Sequence, residues 1–433
     1  MENNFTNTSV ELSKIYRTIT GDGVSKVLKF IKKKVGKIKI ISFKSGMKVF
    51  DWTIPNEWNV RDAYIADSKG KKIIDFKNHP LHLMPYSIPV DKIISKKEII
   101  SKIYTNKRLP NAIPYVTGYF ANDWAFCEKY KNVKKIKKLK EKKFHVKIDS
   151  FLNPKGNLKL GEVHIQGKSK KEILFSTYIC HPFMANNESS GPTIVMGLIN
   201  YIKKNIKNNY FSYRFLFLPE TIGSIAYLSK NYKKMKKNII AGYVLTCVGD
   251  DKEFSLIMTP SENTISDISI KASLQNKRNF KLYSFLKRGS DERQFCSPNI
   301  DLPVATFCRS KFGTYSEYHT SLDNHDFVSE RGLQGSFDIF KDIIISFENN
   351  LYPKSNFFGE PMMSKRNLYP KINLESHNFK ERKFLDVLAY CNGKRNIFEI
   401  SLITKINLKN INEILLTLKK NKLISIIKKW SFQ

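Results

Sequence analysis

The chain has 433 residues, and its 74 Lys and Arg against 39 Asp and Glu give a formal net charge of +35. Hydrophobic residues at 41% and aromatics at 12% exclude a disordered polycation, and the length leaves room for two or three domains. The basic residues are diluted among Asn and Ile along the whole chain, so the charge does not single out a nucleic-acid patch.

No run of eighteen apolar residues occurs, and the N-terminal residues are polar where a signal peptide needs an apolar stretch. A soluble, cytoplasmic protein without a membrane partner is expected. The six cysteines, at 127, 180, 247, 296, 308 and 391, form no CxxC pair, which argues against a disulfide framework or a thiolate zinc knot.

Residues 1–35 carry an apolar stripe, Val10, Leu12, Ile15 and Ile19, then Val27, Leu28 and Ile31, at helical spacing. From residue 37 to 102 short β-type runs alternate with turn signals such as Ser45-Gly46 and Pro55-Asn56, predicting a small β-rich module. FHVKIDSFL and LKLGEVHIQG read as two strands joined by the turn at 153–156. EILFSTYICHP, YRFLFLP, IIAGYVLTCVG and LPVATFC are nearly continuous apolar strands, with helices at 191–204 and 221–231 between them. Strand and helix in alternation predict an α/β fold around a mostly parallel sheet, whose ligands sit beyond the carboxyl ends of the strands. His181, Glu220, Asp250 and Asp251 each follow such a strand.

Residues 351–376 hold several prolines and no clear period, so they read as a linker. Three short helical patterns and a strand-like LISIIKK follow, predicting a winged helix over 377–433. The domain reading is therefore an N-terminal part at 1–45, a β-rich insert at 46–110, the main α/β domain at 111–350, the linker and the winged helix.

Chemistry points to the two histidines His181 and His319. The second lies in SEYHTSLDNHDF, among Glu317, Asp323, His325 and Asp326. Imidazole and carboxylate from separated loops are what a catalytic zinc site uses, with one position left for water. Glu220 is a carboxylate at the same sheet edge, where capping of the helix that follows is the plainer role.

The segments HPFMANNESSGP, FLPETIGSIAYL, GSDERQFCSP and EYHTSLDN resemble an aminopeptidase-like family of unknown function, related to the zinc exopeptidases that include bacterial aminopeptidases and glutamate carboxypeptidase. The resemblance covers nearly the whole chain, including a β-rich insert and a C-terminal winged helix, and implies a link to surface-polysaccharide biosynthesis. It places His181 at the first histidine ligand, Glu220 in the region of the acidic pair that supplies base and ligand, and Tyr318-His319-Thr320 at the second-histidine motif. Ser290-Asp291-Glu292 resembles the Ser-Asp-His that precedes it.

The departures are specific. Where the peptidases carry a bridging Asp in an Ala-Asn-Asp-Asn-like turn, this chain reads Ala185-Asn186-Asn187-Glu188. Pro219-Glu220 stands where they have two adjacent glutamates, and Thr246-Cys247 where a later Asp ligand falls. A two-zinc site needs a bridging anion, so one zinc is expected rather than two. The expected metal set is His181, His319 and a carboxylate from Glu188 or Glu220, with the other glutamate moving the proton. Asn187, Asp291, Glu292, Arg293 and Tyr318 are the expected substrate-binding residues.

The resulting expectation is a zinc-dependent, aminopeptidase-like hydrolase acting on an amide bond of a small peptide or amino-acid-modified sugar, with a homo-oligomer left open. A binding or regulatory protein on a degenerate peptidase fold is the second reading. A winged-helix DNA-binding regulator is the third, and it is not favoured because 408–420 offers Lys409, Lys419 and Lys420 without an Arg, Gln or Ser cluster for base edges.

Overall fold

The computed structural model describes residues 4–368 and 380–427. Its centre is an eight-stranded mixed sheet: β1 (Lys39–Lys44), β2 (Asn157–Ile165), β3 (Glu172–Tyr178), β4 (Ser212–Leu218), β5 (Ile239–Leu245), β6 (Phe254–Ile257), β7 (Phe280–Tyr283) and β8 (Val304–Cys308), in the spatial order β1-β2-β4-β3-β5-β8-β6-β7. The four central strands β4, β3, β5 and β8 run parallel and are buried at every residue, as continuous apolar runs require when helices cover both faces. Successive side chains go to opposite faces. Phe175 stacks on Phe215 at 5.3 Å in one core, with Phe340 edge-on at 5.7 Å, while Leu174 and Tyr178 enter the other core with Leu216 and Leu218.

The N-terminal stripe is divided into helices Phe5–Ser13 and Asp22–Val35, so the loop between them, which carries Arg17, dips into the interior. The β-rich part does not close at residue 110. Its four-stranded antiparallel sheet is ordered Lys72–Asp75, Glu57–Ala66, Lys143–Asn153, Val90–Ser95, and the long strand Lys143–Asn153 pairs with Glu57–Ala66 from Glu57↔Asn153 to Ala66↔His145. The turn at 153–156 therefore does not join two strands of one hairpin. It hands the chain from the insert sheet to β2 of the main sheet.

The segment after the insert's first strands returns to the main domain. Tyr115 donates its backbone N–H to the His319 carbonyl at 2.8 Å, and Ile113 donates to Ser321 Oγ at 3.0 Å. Helix Ser190–Asn205 begins directly against the sheet. A Cβ at Gly191 would lie 2.3 Å from Thr177 Oγ1 and 2.4 Å from the Leu245 carbonyl, so only glycine allows this approach.

Helices Lys380–Ala389, Ile397–Thr404 and Leu408–Lys420 form the C-terminal unit, and its strand Ile424–Ile427 pairs antiparallel with Tyr352–Ser355. The start of the expected linker is thus a strand of this unit. Helix Leu408–Lys420 packs beside Glu330–Asn350, where Asn412 Nδ2 donates to Ser346 Oγ at 2.8 Å, and Phe347 meets Phe398 at 5.1 Å. Gln275 Nε2 donates to the carbonyls of Ser401 and Ile406, which further ties the unit to the main domain. Among the described residues no helix is long and apolar enough to cross a membrane.

Candidate active site

His181 and Glu220 leave the carboxyl ends of β3 and β4, which are parallel neighbours in register at Tyr178↔Leu218. His319 arrives on the loop after β8. Beyond His181 a single turn of π-helix, Ala185–Ser189, carries Asn186, Asn187 and Glu188, all buried.

Asp323 builds that turn by accepting the backbone N–H groups of Asn186 at 2.6 Å and Asn187 at 3.0 Å, and the Tyr315 hydroxyl at 3.3 Å. Four non-glycine residues around the site, Phe183, Thr221, Cys247 and His319, have left-handed φ values of 70°, 65°, 53° and 54°. Such backbone costs about 1–3 kcal/mol per residue and persists where the surroundings hold it. Here the Thr221 N–H donates to Asp291, and the Cys247 and His319 carbonyls accept from Arg309 and Tyr115.

The two imidazoles meet. Their ring centres are 5.4 Å apart, and Tyr115 packs on both, 5.2 Å from His181 and 5.1 Å from His319. Tyr318 stacks on His319 at 3.9 Å, and Tyr115 and Tyr119 share a hydrogen bond between their hydroxyls.

His181 is flanked by two carboxylates: Nδ1 lies 2.9 Å from Glu188 Oε2, and Nε2 lies 3.6 Å from Glu220 Oε2. Burial opposes a positive charge on His181, but Glu188 and then Glu220 override it and hold the pKa above its ordinary value. Among the described residues His319 has no carboxylate partner. Burial, and then the His181 charge, push it down to about 3. Its Nε2 is buried with no hydrogen-bond partner among the described residues, a polar atom left to meet a ligand.

The separation of the two rings suits a shared divalent ion. Two imidazoles on one tetrahedral zinc, with Zn–N of about 2.0–2.1 Å, put their ring centres roughly 5 Å apart, and two His with one Glu is a known catalytic set. Among the described residues, the one trio of His, Cys, Asp or Glu side chains whose ligand atoms all lie within 4.8 Å of one another is Cys180, His181 and Glu188. Its surroundings oppose a cation: burial raises the Cys180 thiol well above its ordinary pKa, and the Arg17 guanidinium already lies 3.5 Å from Glu188 Oε1. A dication on that side would face a buried cation.

Residues 7–350 match a family model described as a domain of unknown function (DUF4910), and residues 351–426 match a winged helix-turn-helix model. The chain belongs to the DUF4910 family. A Clostridium acetobutylicum protein named for polysaccharide biosynthesis and an aminopeptidase-like domain is 40% identical to it over 394 residues, 90% of this chain and 89% of its own length. A crystal structure of a Clostridium acetobutylicum protein named as a peptidase matches at 36% identity with a TM-score of 0.88, over 98% of this chain and 96% of that one. A zinc aminopeptidase from Bacillus subtilis matches at 15% identity with a TM-score of 0.58, over 78% and 93% of the two chains. This DUF4910 protein thus has the aminopeptidase-like α/β fold followed by a winged helix.

Several residues expected to touch substrate are engaged inside the protein instead. Glu292 is buried, accepting the N–H groups of Gly289 and Ser290 through Oε1 and the Thr306 hydroxyl through Oε2. Asn187 is buried too, with Nδ2 donating to the Tyr178 hydroxyl at 2.9 Å. Asp291 accepts the Thr221 N–H at 2.7 Å and the Ser224 hydroxyl at 2.8 Å, steadying the start of helix Ile222–Asn238. The helix-end role considered for Glu220 falls to Asp291. Arg293 is exposed at the rim, donating to Thr221 Oγ1 at 2.7 Å. Asp250 accepts from Asn186 Nδ2 at 3.0 Å and from Ser310, so it braces the turn from behind, and Asp251 pairs with Arg331.

Arg17, in the loop between the first two helices, and Tyr115 carry no sequence motif to mark them. Asp323 was noted only as a neighbour of His319.

Burial, and then Glu220, push Asp291 from 3.8 up to about 8. A carboxyl raised on folding adds stability while it is protonated, and that contribution is lost as pH rises from about 4 through about 8. Asp291→Asn keeps the oxygen that Thr221 and Ser224 use and removes the charge. It is expected to flatten the pH dependence, raising unfolding free energy by on the order of a few kcal/mol above pH 8 and changing it little near pH 4, as urea melts at the two pH values would show.

Proposed function

We propose that this protein is a zinc-dependent hydrolase of the aminopeptidase type, cleaving an amide bond in a small peptide or an amino-acid-modified sugar, with one ion held by His181, His319 and Glu220. The observation that carries the reading is the buried, partnerless Nε2 of His319 beside the His181 ring, whose own Nε2 faces the Glu220 carboxylate. The relative named for polysaccharide biosynthesis supports a sugar conjugate as substrate class.

A bound zinc ion supplies a water of lowered pKa and polarises a carbonyl. The chain's own residues do the rest. Tyr115 and Tyr318 wall the imidazoles and exclude bulk water. Arg293, at the rim beside Glu220, offers a positive charge to a substrate carboxylate or to an anionic sugar. Glu220 would be the carboxylate ligand beside the two imidazoles; burial raises its pKa, while the charges of His181 and Arg293 oppose the rise and favour the ionised form that holds a cation.

Asn187 has a neutral amide where a bridging carboxylate would serve a second ion, which supports one zinc. The same amide favours the second reading, a pocket that binds without cleaving.

Purification in zinc-supplemented medium, elemental analysis and a panel of aminoacyl nitroanilides and aminoacyl amino sugars test the proposal. Near-stoichiometric zinc with turnover supports it. Absence of transition metal would sink it, and thermal stabilisation by panel members without turnover would favour the binding reading. Glu220→Gln is expected to lose turnover by at least about 100-fold, and zinc with it.

A further inference from the structure

Arg17 is 1% exposed, at the bottom of the loop between the first two helices. Its Nη1 donates to the carbonyls of Leu12 at 2.7 Å and Ile15 at 3.0 Å, Nη2 donates to Ser189 Oγ at 3.3 Å, and Nε lies 3.5 Å from Glu188 Oε1. The side chains of Arg17 and Glu188 are both fully buried. Glu188 presents its other oxygen to His181 Nδ1 at 2.9 Å. The row Arg17, Glu188, His181 thus runs from the N-terminal segment to the site, across residues 171 positions apart in the chain at its widest step.

We propose that Arg17 is a positioning residue: through Glu188 it fixes His181 in the tautomer that carries its proton on Nδ1, leaving Nε2 bare toward Glu220. A carboxylate beside a guanidinium can only accept hydrogen bonds, so the nitrogen it meets must bear the hydrogen. The lone pair is then on the other nitrogen, the form a metal takes, and a carboxylate behind a liganding histidine also raises its basicity. A buried ion pair is a poor source of stability, since desolvation cancels much of the attraction. An orienting role accounts for its presence at this place. In this arrangement Glu188 supports the imidazole from behind and is not itself a metal ligand.

The inference rests on the metal-dependent reading for its consequence and on the tautomer for its substance. The test uses the full chain with Arg17→Met, Glu188→Gln and the double variant. Zinc affinity by chelator competition is expected to fall about 10- to 100-fold in each single variant. The double variant should lose no more than the worse single one, because both act through one row.

Nitrogen-15 NMR of histidine-labelled, metal-free protein at alkaline pH reads the tautomer directly. The wild type should show His181 protonated on Nδ1, and Glu188→Gln, whose amide can donate as well as accept, should lose that preference. If Arg17→Met fails to fold, Glu188→Gln carries both measurements. A wild type that binds no zinc defeats the metal reading alone, and the tautomer measurement still decides this one. Unchanged zinc affinity in the variants of a zinc-binding wild type, or a His181 tautomer indifferent to Glu188, overturns it.

Discussion

His319→Ala is expected to leave the purified protein with less than about a tenth of the wild-type zinc and with no measurable amide hydrolysis. Loss of a supporting group behind a ligand already costs about 10- to 100-fold in metal affinity, and loss of the ligand itself costs more. His319 contributes no hydrogen bond through Nε2, so its removal takes nothing from the internal network at that atom. The position has φ of 54°, which alanine tolerates poorly and asparagine well. His319→Asn is therefore the companion variant: it keeps the backbone, removes the imidazole, and should show the same loss of zinc with a melting temperature nearer the wild type. Elemental analysis and calorimetry of the metal-free proteins check both. Full zinc content in His319→Asn would remove this residue from the site.

Asp323→Ala should reduce unfolding free energy by about 3 kcal/mol, because two buried backbone N–H groups, those of Asn186 and Asn187, lose their acceptor. The effect reaches the site through the turn. Asp323 holds the start of the turn Ala185–Ser189 that carries Glu188, and Glu188 in turn contacts His181. Burial raises Asp323 to about 7 in spite of those hydrogen bonds, so the carboxylate sits at a cost that only its role as acceptor offsets. Denaturant melts measure the loss, and zinc competition on the folded fraction should show weaker binding than wild type. A destabilisation below about 0.5 kcal/mol would mean that water replaces the carboxylate, and that the turn does not depend on it.

Tyr115, on the segment that returns from the β-rich insert to the main domain, reaches both histidines. Its ring fills the space between the two imidazoles on one side. The backbone bond from Tyr115 to the His319 carbonyl also clamps the loop on which the second histidine rides.

Much of the architecture could be read along the chain because it depends on near neighbours. The apolar runs of β3, β4, β5 and β8 mark strands buried on both faces, and the residue types that follow them mark the sheet edge where His181 and Glu220 stand. The four motif segments point to the family because their residues are close in sequence. What needed the folded molecule was every relation between distant positions. Lys143–Asn153 read as the first of two strands joined by a turn, yet it pairs with Glu57–Ala66 and Val90–Ser95 earlier in the chain, since strand pairing is set by matching buried faces and not by chain order. Asp291 and Glu292 read as substrate-binding side chains, and in the folded chain they accept buried N–H groups of nearby loops, which a sequence does not show. Arg17 carried no local sign at all: a lone arginine between two helices acquires meaning only when burial forces its charge against Glu188, an electrostatic demand that arises in the packed interior and nowhere in the extended chain.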